Sequence, residues 1–398
     1  VARGDVPAHL AALAERGVLE LATTAATHAF LPTTMTRAAV RAQLRMGRKY
    51  FARVFGKSPR AMWLPECGFD PKLDAELAGA GARSSVIEAH GALFARPRPP
   101  SGLFAPISSP AGVAYFPRHV DLCALVWSRE RGYPGDPAYR EFHVSLGDGS
   151  DPASTGGLKP FRVTGRAEKL PYAPDVADAK AREHAAHFVE AARRTLLDAG
   201  DLPMPAVATV AFDAELFGHF YWEGPRFLES VLRLADGAAG QPLASSLGGH
   251  LALDPELYVA MPATSTWGDG GFAEVWTHPR AAHVLRSAHR AEQRVLAVDA
   301  AVRDTPKGAV ERRARLWAIR ELFLLQASDH AFMMRAGSFA EYAEKMAKDH
   351  AERVERLTDI ALRGGGRDAE AYVEATERAH PLFVELDEDA WADAFDEF

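Results

Sequence analysis

The 398-residue sequence has little cysteine and no long apolar run. Its two cysteines, Cys67 and Cys123, form no CxxC pair, and no secretory hydrophobic segment or run of about 18 apolar residues is present. Nothing therefore indicates export or membrane insertion. We expect a protein of the reducing cytoplasm with no membrane partner.

Positive charge is not in excess either. Lys plus Arg number 46 against 53 Asp plus Glu, giving a formal net charge of -7, and no basic cluster is interleaved with aromatic residues. A nucleic-acid partner is therefore not expected. Hydrophobic residues make up 47% and charged residues 25% of the chain, which is typical of a packed globular protein rather than a disordered or fibrous one.

Several signatures of common chemistry are missing. The sequence has no His-Glu-x-x-His, so a metal site of that kind is not expected, and no cofactor is predicted. Gly-x-Ser-x-Gly is absent as well, which leaves serine hydrolysis unsupported. The glycine-rich stretch 363–367 follows a helical pattern and is interpreted as a loop rather than a phosphate cradle.

What the chain does contain is an alternation of helical and short apolar segments, typical of a parallel α/β sheet or barrel. Beyond about residue 280 the strand signal ends and only helical patterns remain. A loop composition covers 144–160. The predicted helices are 6–17, 36–55, 71–79, 281–301, 309–335 and 338–363, and the predicted strands are 18–22, 61–64, 85–87 and 206–212.

Two acidic residues stand at predicted strand ends. Glu66 follows Trp63-Leu64-Pro65, and Asp213 follows the apolar run that ends at Phe212. Strand ends of an α/β barrel carry catalytic groups, and a carboxylate pair beside aromatic side chains suits glycosidic chemistry. Either acid alone could equally cap the next helix. Together, in an aromatic setting, they favour a catalytic pair.

Aromatic residues in turn-forming stretches could stack on sugar rings. Trp127 precedes a Gly- and Pro-rich turn, Trp267 lies in a Gly-rich loop, and Trp276 lies nine residues further on. A single Trp is more often a core anchor, which is how we interpret Trp63 and Trp317.

Two polar residues keep both interpretations open. His28 follows the first predicted strand and could face a cleft, although a lone His is more often structural. Asp329, at the end of a helical pattern, is either a helix-end polar group or a hydroxyl-binding residue. The residues alone favour the helix-end interpretation.

Several motifs, in one order along the chain, resemble those of glycoside hydrolase family 57, and most closely its 1,4-α-glucan branching enzymes. They are Ala26 to Pro32, Trp63 to Cys67, Val126-Trp127-Ser128 with Gly132 to Asp136, Tyr139 to Phe142, Phe212 to Gly224, Ser265 to Gly271 and Leu324 to Phe332. The resemblance implies an incomplete (β/α)7 barrel with a helical C-terminal domain. It also implies Glu66 as nucleophile and Asp213 as acid/base.

The same resemblance extends the predicted site and organises the chain. Substrate-binding roles are implied for His28, Trp127, His219, Trp222, Trp267, Trp276 and Asp329. The expected domains are a catalytic barrel over 1–265 and a helical domain over 266–398 that contributes aromatic loops to the active-site cleft. The family's first N-terminal strand, with its His-containing motif, is expected to lie outside this sequence, which begins Val1-Ala2-Arg3.

The predicted reaction is cleavage of an α-1,4-glucan and transfer of the cleaved chain to an O6 hydroxyl of an acceptor glucan, as in glycogen synthesis. Amylose or glycogen would be both donor and acceptor. Two alternatives stay open: an α-amylase or 4-α-glucanotransferase using the same machinery, and a non-catalytic glucan-binding protein. The oligomeric state is not predicted.

Overall fold

The computed structural model describes residues 4–128, 130–146, 157–237, 240, 242–253 and 255–398. Among these residues a six-stranded sheet is formed by β1 (Ala22–Thr23), β2 (Ala61–Met62), β3 (Ser84–Ile87), β4 (Ile107–Ser108), β5 (Ala114–Pro117) and β6 (Tyr258–Val259). The helices, in chain order, are α1 (Val6–Glu15), α2 (Arg37–Phe55), α3 (Asp74–Gly79), α4 (Ala89–Leu93), α5 (Val120–Trp127), α6 (Pro174–Leu197), α7 (Gly224–Leu234), α8 (Leu247–Leu251), α9 (Glu274–Thr277), α10 (Ala282–Val302), α11 (Val310–Leu325), α12 (Asp329–Ala336), α13 (Ala340–Arg363), α14 (Arg367–Ala379) and α15 (Glu388–Ala392).

The chain divides into two compact units. The first comprises Val1–Pro100, Pro106–Phe116 and Leu257–Phe398, and the second comprises Ser101–Ala105 and Pro117–Glu256. The sheet, apart from the last residue of β5, belongs to the first unit. The boundary predicted at residue 265 stays a prediction.

The sheet of the first unit is mixed. Its strand order is β1-β2-β3-β5-β4-β6. The β1/β2, β2/β3 and β4/β6 pairs are parallel, and β4/β5 is antiparallel. Residues of β2 and β3 are buried throughout, as expected for strands covered on both faces. The sheet therefore brings the ends of β1 and β2 side by side, and the segments that follow these two strands carry His28 and Glu66.

Helix α2 shows how local sequence sets an element's limits. The Thr36 side chain accepts a hydrogen bond from the Ala39 backbone N–H, and the helix ends at Gly56 with φ of 66°, in the left-handed region. These are an N-cap and a glycine C-cap, and they match the sequence prediction of 36–55 closely.

The C-terminal part of the first unit is helical, as predicted, with α11 at its centre. Twelve of the sixteen α11 residues are buried. A helix that is buried on all sides must be surrounded by other elements. The buried cluster around it includes residues of α10, α13, α14 and α15. None of the helices in the described ranges combines the length and apolarity needed to cross a bilayer.

The second unit has its own core. Side chains of α5, α6 and α7 pack with residues from the loops between them, and the buried members are Leu122, Val126, Tyr133, Tyr139, Ala177, Ala181, Ala185, Phe188, Leu216, Tyr221 and Phe227.

Some sequence predictions of elements are wrong. The strand predicted over 206–212 is an extended segment with one isolated bridge, between Thr209 and Arg118. Its backbone hydrogen bonds are made with two separate residues, Phe104 and His119, so they do not form the continuous ladder of a β-sheet. The strand predicted at 18–22 is displaced to β1, and the helix predicted over 309–335 is interrupted between α11 and α12. Residues 147–156 of the predicted loop lie outside the described ranges.

Candidate active site

Glu66 lies in a tight turn directly after β2. Pro65 to Cys67 form a single 3-10 turn in which Glu66 has φ of 62° and Cys67 has φ of 52°. Non-glycine residues seldom adopt these angles, which cost of the order of 1–3 kcal/mol each and concentrate at functional sites. His28, in the loop after β1, has φ of 54°. The strained backbone thus coincides with two of the predicted site residues.

The loop that contains Ser265 to Trp267, far along the chain, is hydrogen-bonded to this turn. Phe69 and Ser265 exchange backbone hydrogen bonds, with N···O distances of 2.8 and 3.0 Å. The Thr266 hydroxyl donates to the Glu66 carbonyl at 2.7 Å, and the Trp267 N–H donates to the same oxygen at 3.2 Å. The strained turn is therefore tied directly to the loop that carries Trp267.

Both oxygens of the Glu66 carboxylate receive hydrogen bonds. The Trp267 Nε1–H donates to Oε2 at 3.0 Å, and the Ser328 hydroxyl donates to Oε1 at 2.8 Å. The Nε2 atom of His28 lies 3.6 Å from Oε1. Only 14% of the Glu66 side chain is exposed, compared with 40% for His28. The carboxylate is held in one orientation while His28 remains accessible.

These contacts decide the charge of Glu66. Burial on its own would raise the pKa of this carboxyl group, but the hydrogen bonds from His28, Trp267 and Ser328, with the charge of His28, outweigh it and lower the pKa below its ordinary value. The group is therefore ionised at neutral pH, as a nucleophile must be.

Ser328 and His28 are held together as a pair. Ala29 and Ala327 form an antiparallel bridge, and the Ser328 N–H donates to the His28 carbonyl at 3.1 Å. Ser328 immediately precedes α12, but its side chain makes no helix cap bond. Its hydroxyl therefore donates to Glu66 instead of capping the helix.

A series of buried, hydrogen-bonded polar side chains also supports the segments that carry His28 and Ser328. Gln43, which is fully buried, accepts from the Thr27 N–H at 3.2 Å and donates to Gln326 Oε1 at 3.0 Å. Gln326 donates to Glu292 at 3.2 Å, and Glu292 also accepts from the Thr36 N–H at 2.7 Å. Burial raises the pKa of Glu292, although hydrogen bonds from Thr36 and from the Met35 N–H, with the charge of His289, act against it. This series of hydrogen-bonded side chains connects Thr27, the residue before His28, to the turn that carries Ser328.

Aromatic rings cover the turn on two sides. Trp63 and Trp267 lie 4.9 Å apart between ring centroids, and Phe30 stacks on Trp276 at 4.2 Å. Trp276 is only 3% exposed. A side chain at Gly268 would meet the Trp276 ring 2.7 Å away, so glycine lets the Trp267 loop lie directly on it. Trp276 therefore supports that loop, while its predicted contact with substrate stays a prediction.

Asp329 is the first residue of α12 and is exposed. An acid in the first turn of a helix interacts favourably with the helix dipole. Its position fits the helix-end interpretation, and it lies next to Ser328, whose hydroxyl contacts Glu66.

Asp213 lies in the second unit, immediately before the 3-10 turn Ala214–Leu216, with its backbone carbonyl accepting from the Leu216 N–H at 3.2 Å. Its side chain is half-buried. Phe212 and Phe217 meet edge to face at 5.7 Å, so aromatic rings flank this acid as the sequence suggested.

The other predicted residues of the second unit are exposed aromatics or histidine. Trp222 is 47% exposed, with the Arg140 guanidinium 3.7 Å from one ring centroid, and Trp127 is 52% exposed at the end of α5. His219 packs against Phe142 with centroids 5.0 Å apart. Each of these rings has exposed surface that could meet a ligand.

Sequence reasoning missed Ser328 and the Gln43, Gln326 and Glu292 chain. Ser328 lies next to Asp329 within the motif Leu324 to Phe332, and the role predicted for Asp329 stays a prediction. Gln43 lies on α2, Glu292 on α10 and Gln326 in the turn after α11, and no local pattern connects them. Among the described residues, a different group of side chains that could hold a metal ion, Glu321, His350 and His380, lies outside the Glu66 site.

Comparison with known proteins shows family-level similarity along most of the chain. A family model described as glycosyl hydrolase family 57 matches residues 2–234, and one described as 1,4-alpha-glucan branching enzyme, C-terminal, matches residues 287–391. A probable 1,4-alpha-glucan branching enzyme of Mycobacterium tuberculosis is 32% identical over 393 residues, covering 95% of this chain and 70% of the relative.

Two solved structures are similar over 98% of this chain. The GH57-type branching enzyme of the hyperthermophilic archaeon Pyrococcus horikoshii has a TM-score of 0.87 at 27% identity, with 74% of that chain covered. The alpha-amylase AmyC of Thermotoga maritima has a TM-score of 0.86 at 30% identity, with 76% covered. The likeness confirms the predicted fold class, an α/β protein of the incomplete (β/α)7 type with a helical C-terminal region.

Proposed function

The chain belongs to glycosyl hydrolase family 57, and on that premise we propose that it is a retaining 1,4-α-glucan branching enzyme. Such an enzyme cleaves an α-1,4-glucan chain and transfers the cleaved part to an O6 hydroxyl. The observation that carries the proposal is the Glu66 carboxylate, which lies on a strained backbone turn and is held by hydrogen bonds from Trp267 and Ser328. The match of residues 287–391 to the branching-enzyme C-terminal model favours branching over other activities.

In the proposed first step, Glu66 attacks the anomeric carbon of the donor. The bond from that carbon to O4 of the departing chain breaks as Asp213 donates its proton to O4, leaving a glycosyl ester on Glu66. The hydrogen-bond donors to Glu66 lower the basicity of its carboxylate and fix its orientation. The ester can therefore form, and the carboxylate can later depart, without rotation of the side chain.

In the second step the ionised Asp213 removes the proton from an acceptor O6 hydroxyl. That oxygen then attacks the anomeric carbon, and Glu66 departs as a carboxylate. Two displacements restore the α configuration in a new α-1,6 bond. Water in place of O6 would give hydrolysis, so exclusion of water by an acceptor glucan decides the outcome.

We assign glucan contacts to the remaining predicted residues. Trp127 and Trp222 have exposed ring surface suited to stacking on pyranose rings, and His28 is exposed beside Glu66. His219, Trp267, Trp276 and Asp329 complete the proposed binding set. We place the enzyme in cytoplasmic α-glucan or glycogen synthesis, which agrees with two buried free cysteines.

The deciding experiment incubates amylose with the protein and analyses the product before and after enzymatic debranching. Branching should produce new α-1,6 linkages, seen by proton NMR and as short chains released on debranching, with little rise in reducing ends. Reducing ends without new α-1,6 linkages would instead identify an α-amylase, which the similarity to the Thermotoga maritima enzyme makes the second candidate.

Residue roles can be tested with azide and an activated α-glycosyl fluoride. Glu66→Ala should recover turnover with azide and give the inverted β-glycosyl azide, whereas Asp213→Ala should give the retained α-azide. Glu215→Gln, an exposed acid in the turn after Asp213, is the matched control and should keep wild-type turnover. Wild-type protein that binds amylose but never turns it over would support a non-catalytic glucan-binding protein.

A further inference from the structure

Three potential metal ligands meet in the helical part of the first unit, outside the Glu66 site. Glu321 comes from α11, His350 from α13, and His380 immediately follows α14. The Nδ1 atom of His350 lies 2.6 Å from Glu321 Oε2, and that of His380 lies 2.5 Å from Oε1. The histidines are 29 and 59 residues from Glu321, so no short motif reveals the cluster.

The cluster is buried, which makes its charge significant. The side chains of Glu321, His350 and His380 are 0%, 4% and 18% exposed. A carboxylate removed from water requires strong compensation. Among the described residues, the ion-pair partners of Glu321 are these two histidines. A divalent cation bound by all three would supply positive charge next to the carboxylate.

The neighbouring guanidinium does not supply that charge. Arg320 donates to the carbonyls of Leu382 and Leu316, at 3.0 and 3.2 Å, and lies over the rings of Trp317 and Trp391. Its hydrogen bonds and ring contacts are directed to these groups rather than to Glu321.

The three side chains are close enough to share one ion bound by imidazole and carboxylate. One ligand atom from each of the three residues lies within 4.8 Å of the others. Zinc binds imidazole nitrogen at about 2.0–2.1 Å, which places two rings on one tetrahedral ion with centroids about 5 Å apart. The centroids of His350 and His380 are 5.0 Å apart.

A further buried histidine lies near the cluster. His330, in the first turn of α12, is 8% exposed, and its Nε2 lies 3.0 Å from the Leu324 carbonyl oxygen. Nε2 must therefore carry the proton, which leaves a lone pair on Nδ1, and that atom has no hydrogen-bond partner in the part of the chain that the structure describes. A metal-binding histidine usually donates its other N–H to a carbonyl in this way. Its ring centroid is 6.1 Å from that of His350.

We propose that Glu321, His350 and His380 bind a divalent ion of the zinc class, with His330 as the fourth donor. The site is structural, joining α11, α12, α13 and the end of α14. Glu321 precedes and His330 follows the turn 326–328, so the ion also steadies the segment that presents Ser328 to Glu66. On binding, any proton on the Nδ1 atoms that face the carboxylate moves to Nε2 or to solvent, and no oxidation is involved.

The test uses the full chain, stripped with a chelator and titrated with zinc by calorimetry. We expect one zinc per chain by elemental analysis and a Tm that rises with added zinc, because the ion binds the folded state. Cobalt substituted at the site should show the visible absorption of a tetrahedral complex. These readouts do not depend on the proposed catalytic activity.

His380→Asn is the informative variant, because an amide can still donate a hydrogen bond to Glu321 but replaces the imidazole ligand. Zinc affinity should fall by more than the roughly 10–100-fold typical of losing an outer partner. His283→Asn removes an exposed histidine 3.6 Å from Glu344 and should bind zinc like wild type. Wild-type protein without stoichiometric zinc binding, or equal affinity in His380→Asn, would show that the cluster is a hydrogen-bonded triad only.

Discussion

The indole nitrogen of Trp267 donates a hydrogen bond to Oε2 of Glu66 at 3.0 Å, across 201 positions of sequence. The other carboxylate oxygen receives the Ser328 hydroxyl. One donor on each oxygen fixes the plane of the carboxylate and keeps it ionised. This arrangement leads to two predictions about how Glu66 is tuned.

Trp267→Phe keeps an aromatic ring but removes the N–H. A hydrogen bond to a charged group contributes about 1.5–3 kcal/mol, so kcat/KM on amylose should fall roughly 10–100-fold. The pKa of Glu66 is lowered partly by this bond and should rise without it. Because the ionised form is needed, activity is lost as pH falls through that pKa, and the acidic limb of the kcat/KM profile should move to higher pH.

The control for that shift is Trp63→Phe, which changes the ring 4.9 Å from Trp267. In this variant the Trp267 N–H can still donate to Glu66. Its acidic limb should stay where it is in wild type. An unmoved limb in Trp267→Phe would mean that this bond does not tune Glu66.

Ser328→Ala tests the second donor. The Ser328 side chain makes no cap bond to α12, so the Tm should change little while kcat/KM falls by about tenfold or more. Steady-state kinetics and thermal unfolding on the same preparation separate the two effects. A large loss of Tm with no change in kcat/KM would instead assign Ser328 a purely structural role.

The sequence predicted much of this site because its signals are local. Glu66 and His28 follow apolar runs whose ends mark strand ends, and the helical C-terminal region carries a clear helical period. The family resemblance is confirmed by the comparisons. The sequence alone was therefore enough to predict that Glu66 follows a strand and that Trp267 lies in a loop.

What the sequence did not predict depends on contacts between distant segments. Ser328 meets Glu66 only because Ala29 pairs with Ala327, and a bridge of two alanines leaves no pattern in either segment. The apolar run 206–212 looked like a strand because composition cannot show whether a neighbouring strand is available for pairing. The sequence offers Trp276 as a ring that could stack on sugar, but only the structure shows that it is buried and stacked on Phe30.

Gln326→Ala should weaken both stability and activity. It removes one of three donors to the Glu292 carboxylate and the acceptor of one Gln43 N–H, and losing hydrogen bonds to buried groups of this kind costs about 1–3 kcal/mol in free energy of unfolding. The Gln326 amide stabilises the ionised form of Glu292, whose pKa is raised by burial. The loss should therefore be greater at neutral pH than at mildly acidic pH, because lowering the pH increases the fraction of Glu292 that binds a proton.

Urea unfolding at the two pH values measures this difference, and Gln293→Ala serves as the control. Gln293 is exposed on the same helix as Glu292, so its replacement should change the free energy of unfolding by no more than about 0.5 kcal/mol. An equal loss at both pH values would contradict the assigned role of Glu292.

Trp276 and Trp127 should respond in opposite ways to replacement by alanine. Trp276 is 3% exposed and stacked on Phe30, so Trp276→Ala should lower the free energy of unfolding by about 3–5 kcal/mol. Trp127 is 52% exposed, so Trp127→Ala should change stability by no more than about 0.5 kcal/mol while raising the KM for amylose if it stacks on sugar. Trp276→Phe keeps a ring against Phe30 and isolates binding from folding. An amylose KM raised in Trp276→Phe at unchanged Tm would show that the buried ring contacts glucan, and an unchanged KM would show that it acts only by supporting the Trp267 loop.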